Sequence, residues 1–301
     1  MEKKLVSPIV HFISGKGGVG KSLCAKALAT YFARQGFSTL LVELSEEESE
    51  TAPTIQTFHN IEEKLSFLRI YPDQALYEYL SLKVPGQSLL KKMFGKSFFR
   101  TLCSAMPGLS DLTRLGKIWF HADKHAGSQE NFDKIVVDLP SSGFIVRFLS
   151  IARVVREVVK IGPLAREARL MEDFFKDARN AVLHLVTLPQ ELVINETFEI
   201  YHKINAGHDM SLGVLFVNRL NLLDYEELKF LVSKLDSSLT ATKAIFDFFL
   251  SQIDNEQEQL KRLDTVGLKL HRIYLGEHFG AFYESEIVNE LVEKIAEHCA
   301  S

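Results

Sequence analysis

Eight consecutive residues, Gly15-Lys16-Gly17-Gly18-Val19-Gly20-Lys21-Ser22, set a glycine-rich turn, two amines and a hydroxyl at the spacing G-x-x-x-x-G-K-S. That is the phosphate-loop pattern, and each residue type has a task in it. The glycines permit dihedrals and a close backbone approach that a Cβ would forbid. Lys21 is placed to reach the β- and γ-phosphates, and Ser22 to offer its hydroxyl to Mg²⁺. The chemistry expected is the grip of Mg-ATP. A second candidate for the metal is Asp138, the acid that closes Phe132–Asp138, a run of apolar residues with the composition of a buried strand.

The flanking elements suit that chemistry. Ile9–Ser14 is rich in β-branched and aromatic residues and reads as a buried strand. Leu23–Ala33 is helix-forming and closes at Gly36. Strand, glycine loop and helix together turn backbone N–H groups toward a phosphate. Ser38–Leu44 is a second buried strand, and Ala181–Leu188, Leu212–Val217 and His271–Leu275 are further strands separated by helical stretches. The alternation predicts an α/β fold, a mostly parallel sheet of the phosphate-loop NTPase type with helices on both faces. The whole chain, 1–301, reads as one domain.

Lys16 sits directly after the first glycine, and Lys-Gly-Gly-Val-Gly-Lys-Ser resembles the deviant Walker A motif of the class that includes MinD, ParA, the nitrogenase iron protein, ArsA and the tail-anchored-protein targeting ATPases. The resemblance implies that Lys16 reaches across a homodimer to the partner's nucleotide, where an amine stabilises charge on the transferring phosphoryl group. It covers nearly the whole chain and narrows to the bacterial ArsA-like branch from Gly162 onward, through Pro189-Gln190-Glu191 and Asn195-Glu196. It implies that Asn218 reads the adenine edge and that Arg219 stacks on the base or contacts a phosphate. Gly276-Glu277 stand where the class completes its adenine pocket. Leu139-Pro140-Ser141-Ser142-Gly143 resembles the switch loop whose Gly143 N–H senses the γ-phosphate, with Phe144 in place of the family's histidine.

One departure bears on turnover. Related ATPases carry an aspartate after the second strand to position the attacking water, and here Ser45 stands there, followed by Glu46. A serine cannot accept the water's proton as a carboxylate can. Either Glu43 or Glu46 substitutes, or hydrolysis is slow or absent.

Residues from about 71 to 126 read as a helical insertion, with Asp73 capping Gln74–Lys83, breaks at Pro85-Gly86 and Pro107-Gly108, and helical stretches at 88–94, 98–106 and Leu109–His121. The block is apolar and is either self-packed or a surface for a hydrophobic client or membrane-protein partner. His121 and His125 share a helical face, but nothing nearby completes a metal set.

Composition bounds the alternatives. The chain is 46% hydrophobic and 25% charged with a net charge of -4, an ordinary globular balance without the basic surface that nucleic acid requires. Cys24, Cys103 and Cys299 are far apart, which argues against a zinc or arsenite site and for a reducing cytoplasm. No stretch has the length and apolarity of a membrane span or a signal peptide. Glu46-Glu47-Glu48-Ser49-Glu50 reads as a solvated loop, 225–263 as helical and polar, and the closing helix Glu284–His298 as acidic, unlike a membrane-targeting amphipathic helix. Two readings therefore stay open: an ATPase switch that handles an apolar client, and a non-hydrolysing ATP-binding scaffold.

Overall fold

The computed structural model describes residues 5–50, 56, 58–83, 98, 99, 101, 103, 108–123, 132–158, 163–207, 210–221, 225–234, 240–265, 267–277 and 284–300. In chain order the elements are β1 (Val10–Ser14), α1 (Lys21–Arg34), β2 (Thr39–Leu44), β3 (His59–Glu62), β4 (Leu65–Ile70), α2 (Pro72–Lys83), α3 (Leu109–Ala122), β5 (Lys134–Asp138), α4 (Ser142–Val158), α5 (Pro163–Lys176), β6 (Ala181–Thr187), α6 (Glu191–Gly207), β7 (Ser211–Leu220), α7 (Tyr225–Ser233), α8 (Thr240–Thr265), β8 (His271–Gly276) and α9 (Glu284–Ala300).

The strands form one sheet of order β3-β4-β2-β5-β1-β6-β7-β8. Every pairing is parallel except β3 with β4. The sheet expected from the alternation is therefore present. β1 is central: β2, β3, β4 and β5 lie on one side of it and β6, β7 and β8 on the other, so the connections reverse direction across it and open a crevice at the C-terminal ends of the strands.

Period-two alternation explains how both faces are covered. Phe12, Leu40, Val42, Ile135, Val137, Leu183 and Leu215 turn to one face, which packs on residues of α3, α4, α5, α6 and α8. Ile13, Leu41, Val136, Val186, Phe216 and Ile273 turn to the other, which packs on α1 and α9. α1 has ten buried residues among its fourteen, as expected of a helix apolar nearly all round.

Several expectations need correction. The antiparallel β3–β4 pair lies between Leu44 and Tyr71, where no element was expected, and its turn places Lys64 at φ 61 without a glycine. β7 does not stop before Asn218 but continues through it to Leu220. The 225–263 stretch is two helices, and its surface is not uniformly polar: Phe230, Leu231, Ile245 and Phe248 are exposed. The acidic run is not wholly solvated either, because Ser49 is buried.

Of the insertion, α2 and α3 are described, and Leu76 and Tyr77 of α2 bury together with Phe99 and Cys103. Pro85-Gly86, the 88–94 stretch, Pro107 and His125 lie outside the described residues, as do Ile161 and Gly162, and 98–106 is described only at 98, 99, 101 and 103. His121 packs edge-on against Phe58 and Phe132. Among the described residues no helix is long and apolar enough to cross a membrane.

Candidate functional site

The loop between β1 and α1 is shaped by two close approaches. A Cβ on Gly15 would lie 2.3 Å from the carbonyl oxygen of Val186, so the loop seats against the end of β6. A Cβ on Gly20 would lie 2.3 Å from Asn218 Nδ2, and Gly20 also holds φ 95. Gly20 is the N-cap of α1 and makes no side-chain cap bond. The first-turn N–H groups are therefore left for an anion, and the helix dipole favours negative charge there.

Lys21 is buried, and its ammonium donates to the Lys16 carbonyl at 2.9 Å. Burial lowers its pKa, while Asp138 and Glu196 oppose the shift. An ammonium partly stripped of water and folded over the loop is ready to exchange a carbonyl for phosphate oxygens, where its bonds gain strength from full opposite charge.

Register brings the metal candidates together. β5 pairs with β1 so that Asp138 lies opposite Ile13, at the mouth of the loop. Ser22 Oγ donates to Asp138 Oδ2 at 2.6 Å. Asp138 Oδ1 is buried without a hydrogen-bond partner, and burial raises the pKa of this carboxyl. A hydroxyl, a carboxylate and an unsatisfied buried oxygen fit a hard cation such as Mg²⁺, which binds through few protein oxygens and keeps its waters. Held by Ser22 and Asp138, Mg²⁺ would supply positive charge against the phosphates.

Lys16 points elsewhere. Its side chain is 40% exposed, and its ammonium lies 3.8 Å from Glu196 Oε2 on α6. Both line a cavity of about 540 Å³ together with Gly143, Val146, Ile200 and Lys203. The loop that follows β5 thus meets Lys16 through Gly143, the second residue of α4. Phe144 does not line that cavity. It is buried, and its ring lies under the guanidinium groups of Arg114, at 5.0 Å, and Arg147, at 5.2 Å.

Asn218 is buried, and its Nδ2 donates to the Val19 carbonyl at 2.9 Å. It braces the phosphate loop from β7, a role that its position in sequence did not suggest. Arg219 follows at φ 56, exposed, within a register shift of β7 against β8. A non-glycine residue in that region costs about 1–3 kcal/mol and clusters at functional sites, and a bulge re-aims a side chain.

The acid question narrows. Glu43 pairs with Arg69 at 2.8 Å. Ser45 closes its own turn: its Oγ donates to Glu47 O at 3.0 Å and accepts from Glu47 N–H at 3.1 Å. Glu46 is exposed in the same loop. Sequence reasoning also missed Arg114, which donates to the Ser45 carbonyl at 2.7 Å from a helix 69 residues away. Glu196 was singled out only by resemblance, with no task assigned.

A family model described as anion-transporting ATPase matches residues 9–171. The chain is 31% identical over 227 residues to the ATPase BagA of Mycobacterium tuberculosis, which covers 70% of this chain and 64% of the relative. It is 23% identical over 264 residues to the ATPase GET3C of Arabidopsis thaliana, covering 70% of this chain and 66% of that one. Against the ATPase GET3 of Candida glabrata it is 21% identical over 269 residues, covering 75% and 77%. The chain thus spans somewhat less than two thirds of its mycobacterial relative.

Proposed function

The chain belongs to the anion-transporting ATPase family, and from that premise we propose an Mg-dependent, ATP-driven switch that works as a homodimer and acts on a hydrophobic client or partner. The observation that carries this reading is the Ser22–Asp138 contact at 2.6 Å beneath a glycine-capped helix, with Asp138 Oδ1 unsatisfied. Lys21, Ser22 and the loop amides hold the phosphates, and Asn218 and Arg219 border the base. Water attacks the γ-phosphorus, the bond to the β-phosphate oxygen breaks, and ADP and phosphate leave. Glu46 is the carboxylate assigned to the water, because Glu43 is engaged by Arg69.

The exposure of Lys16 supports its reach into a partner subunit. Exposed Leu82 and Phe98 support an apolar surface on the 71–126 insertion. The acidic α9 disfavours a MinD-like membrane anchor, with Glu284, Glu286, Glu290, Glu293 and Glu297 set against Lys294. The second reading, an ATP-binding scaffold without turnover, is favoured by the hydroxyl of Ser45 being closed into its own turn.

Phosphate release with Mg-ATP, measured beside equilibrium ATP binding, tests the proposal. Wild type turns over. Lys16→Ala binds ATP within about threefold of wild type but loses turnover about a thousandfold or more, the scale of an arginine-finger role. Tight binding without turnover in wild type selects the scaffold.

A further inference from the structure

The loop after β2 is fastened at both ends to the helical insertion. At its start, Arg114 of α3 donates to the Ser45 carbonyl at 2.7 Å. At its end, Ser49 N–H donates to Asp73 Oδ1 at 3.0 Å, and Gln74 Nε2 donates to Ser49 Oγ at 2.6 Å, both from the first turn of α2. These are interior contacts: Arg114, Asp111, Asp73, Gln74 and Ser49 are all buried.

The same guanidinium reaches the second nucleotide-facing segment. Its Nη2 pairs with Asp111 Oδ1, whose other oxygen accepts from Arg147 Nε of α4 at 3.0 Å. Both guanidinium planes lie against Phe144, one residue beyond the Gly143 that lines the Lys16 cavity. One planar fork thus joins three segments, and a lysine, with its point charge, would not span them. A buried arginine so committed has few alternative arrangements, so displacement of either loop must be felt by α3.

We propose that Arg114 is the positioning residue that couples the nucleotide site to the insertion, by tying the 45–50 loop and the start of α4 to α3. It touches no phosphate; it acts through Ser45 and Phe144. Because coupling is reciprocal, whatever docks on the insertion changes ATP affinity through the same pin. This deepens the switch reading and rests on it.

Hydrogen exchange with and without adenylyl-imidodiphosphate and Mg²⁺ tests the coupling, each variant being compared with its own free state. In wild type the nucleotide protects 15–34 and shifts exchange at 109–122 by about fivefold or more, the lower range of allosteric coupling. Arg114→Met keeps the protection at 15–34 and loses the shift at 109–122. A shift that persists in Arg114→Met, or a wild-type α3 that ignores a nucleotide protecting 15–34, overturns the coupling alone. No protection of 15–34 in wild type overturns the nucleotide reading and the coupling with it. If Arg114→Met does not fold, Asp111→Asn decides: it keeps the shape but weakens the anchor of Arg114, and an unaltered shift at 109–122 there overturns the proposal.

Discussion

β1 and β6 run side by side, and the polar pair between them is handled in the opposite way from the polar groups around the glycine loop. Between the strands, His11 from near the start of β1 and His184 from the middle of β6 lie buried with their ring planes 6° from parallel. Val214 N–H donates to His184 Nδ1 at 3.1 Å, so the proton of His184 is on Nε2. That proton goes to His11 Nδ1 at 3.0 Å, and His11 Nε2–H goes to the Pro8 carbonyl at 3.0 Å. Each donor has one acceptor, and both rings are neutral. Around the glycine loop, Ser14 Oγ and Asp138 Oδ1 are buried without hydrogen-bond partners, Gly20 caps α1 without a side chain, and Lys21 folds onto a loop carbonyl. Unsatisfied buried polar groups are costly, so a fold keeps them where a ligand completes them. The contrast separates histidines that satisfy each other inside the sheet from polar groups left open around the glycine loop.

The largest expected effect breaks the glycine-loop set. Lys21→Ala weakens ATP binding about a thousandfold, near the 4 kcal/mol that a buried charge-assisted contact contributes, while the unfolding midpoint stays close to wild type. Calorimetric titration and urea unfolding read the two numbers. Comparable losses in both would make Lys21 structural and dissolve the distinction.

The next effect breaks the histidine pair. His184→Leu leaves the Val214 N–H and His11 Nδ1 without partners, at a cost of about 3 kcal/mol in stability. Chemical denaturation should show that loss with ATP affinity retained in the folded fraction. Gly213 belongs to the same unit, since a Cβ there would lie 2.5 Å from the His184 ring. A drop in ATP affinity with little change in stability would place the histidines in the site.

How much of this was legible depended on how local the cause was. Strand, glycine loop and helix declare themselves within 25 residues, and Asp138 ends a strand whose composition is plain. Asn218 was marked by type, but its bond to Val19 crosses 199 residues, so its bracing role had no local signal. The two histidines are 173 residues apart, each in a run that reads as core strand, and nothing in either run calls for a partner. The β3–β4 pair was missed because its turn uses Lys64 rather than glycine or asparagine at positive φ. Arg114 reads as one cation on an amphipathic helix; only the packing of α3 beside the β2 loop makes it a tether.

The smallest effect sharpens the comparison through pH. Burial, with His184 and Lys134 nearby, lowers the pKa of His11, and burial lowers that of His184 to about 3. Folded values below the unfolded 6.5 mean that the unfolded chain binds protons first as pH falls. Stability from the pair is therefore fully present above about pH 6.5 and declines below it, by about 0.7 kcal/mol per histidine between pH 7 and pH 6. Carboxylates with ordinary pKa values do not titrate in that window, and His298, whose pKa burial also lowers, contributes alike to wild type and to His184→Leu, so the difference between the two reports the pair. Urea unfolding at pH 7 and pH 6 reads the slope, and His184→Leu should lower it by about 0.7 kcal/mol or more. A wild-type slope near zero would mean that the rings protonate in the folded state, and the donor-acceptor chain from Val214 to Pro8 would then be wrong at its central bond.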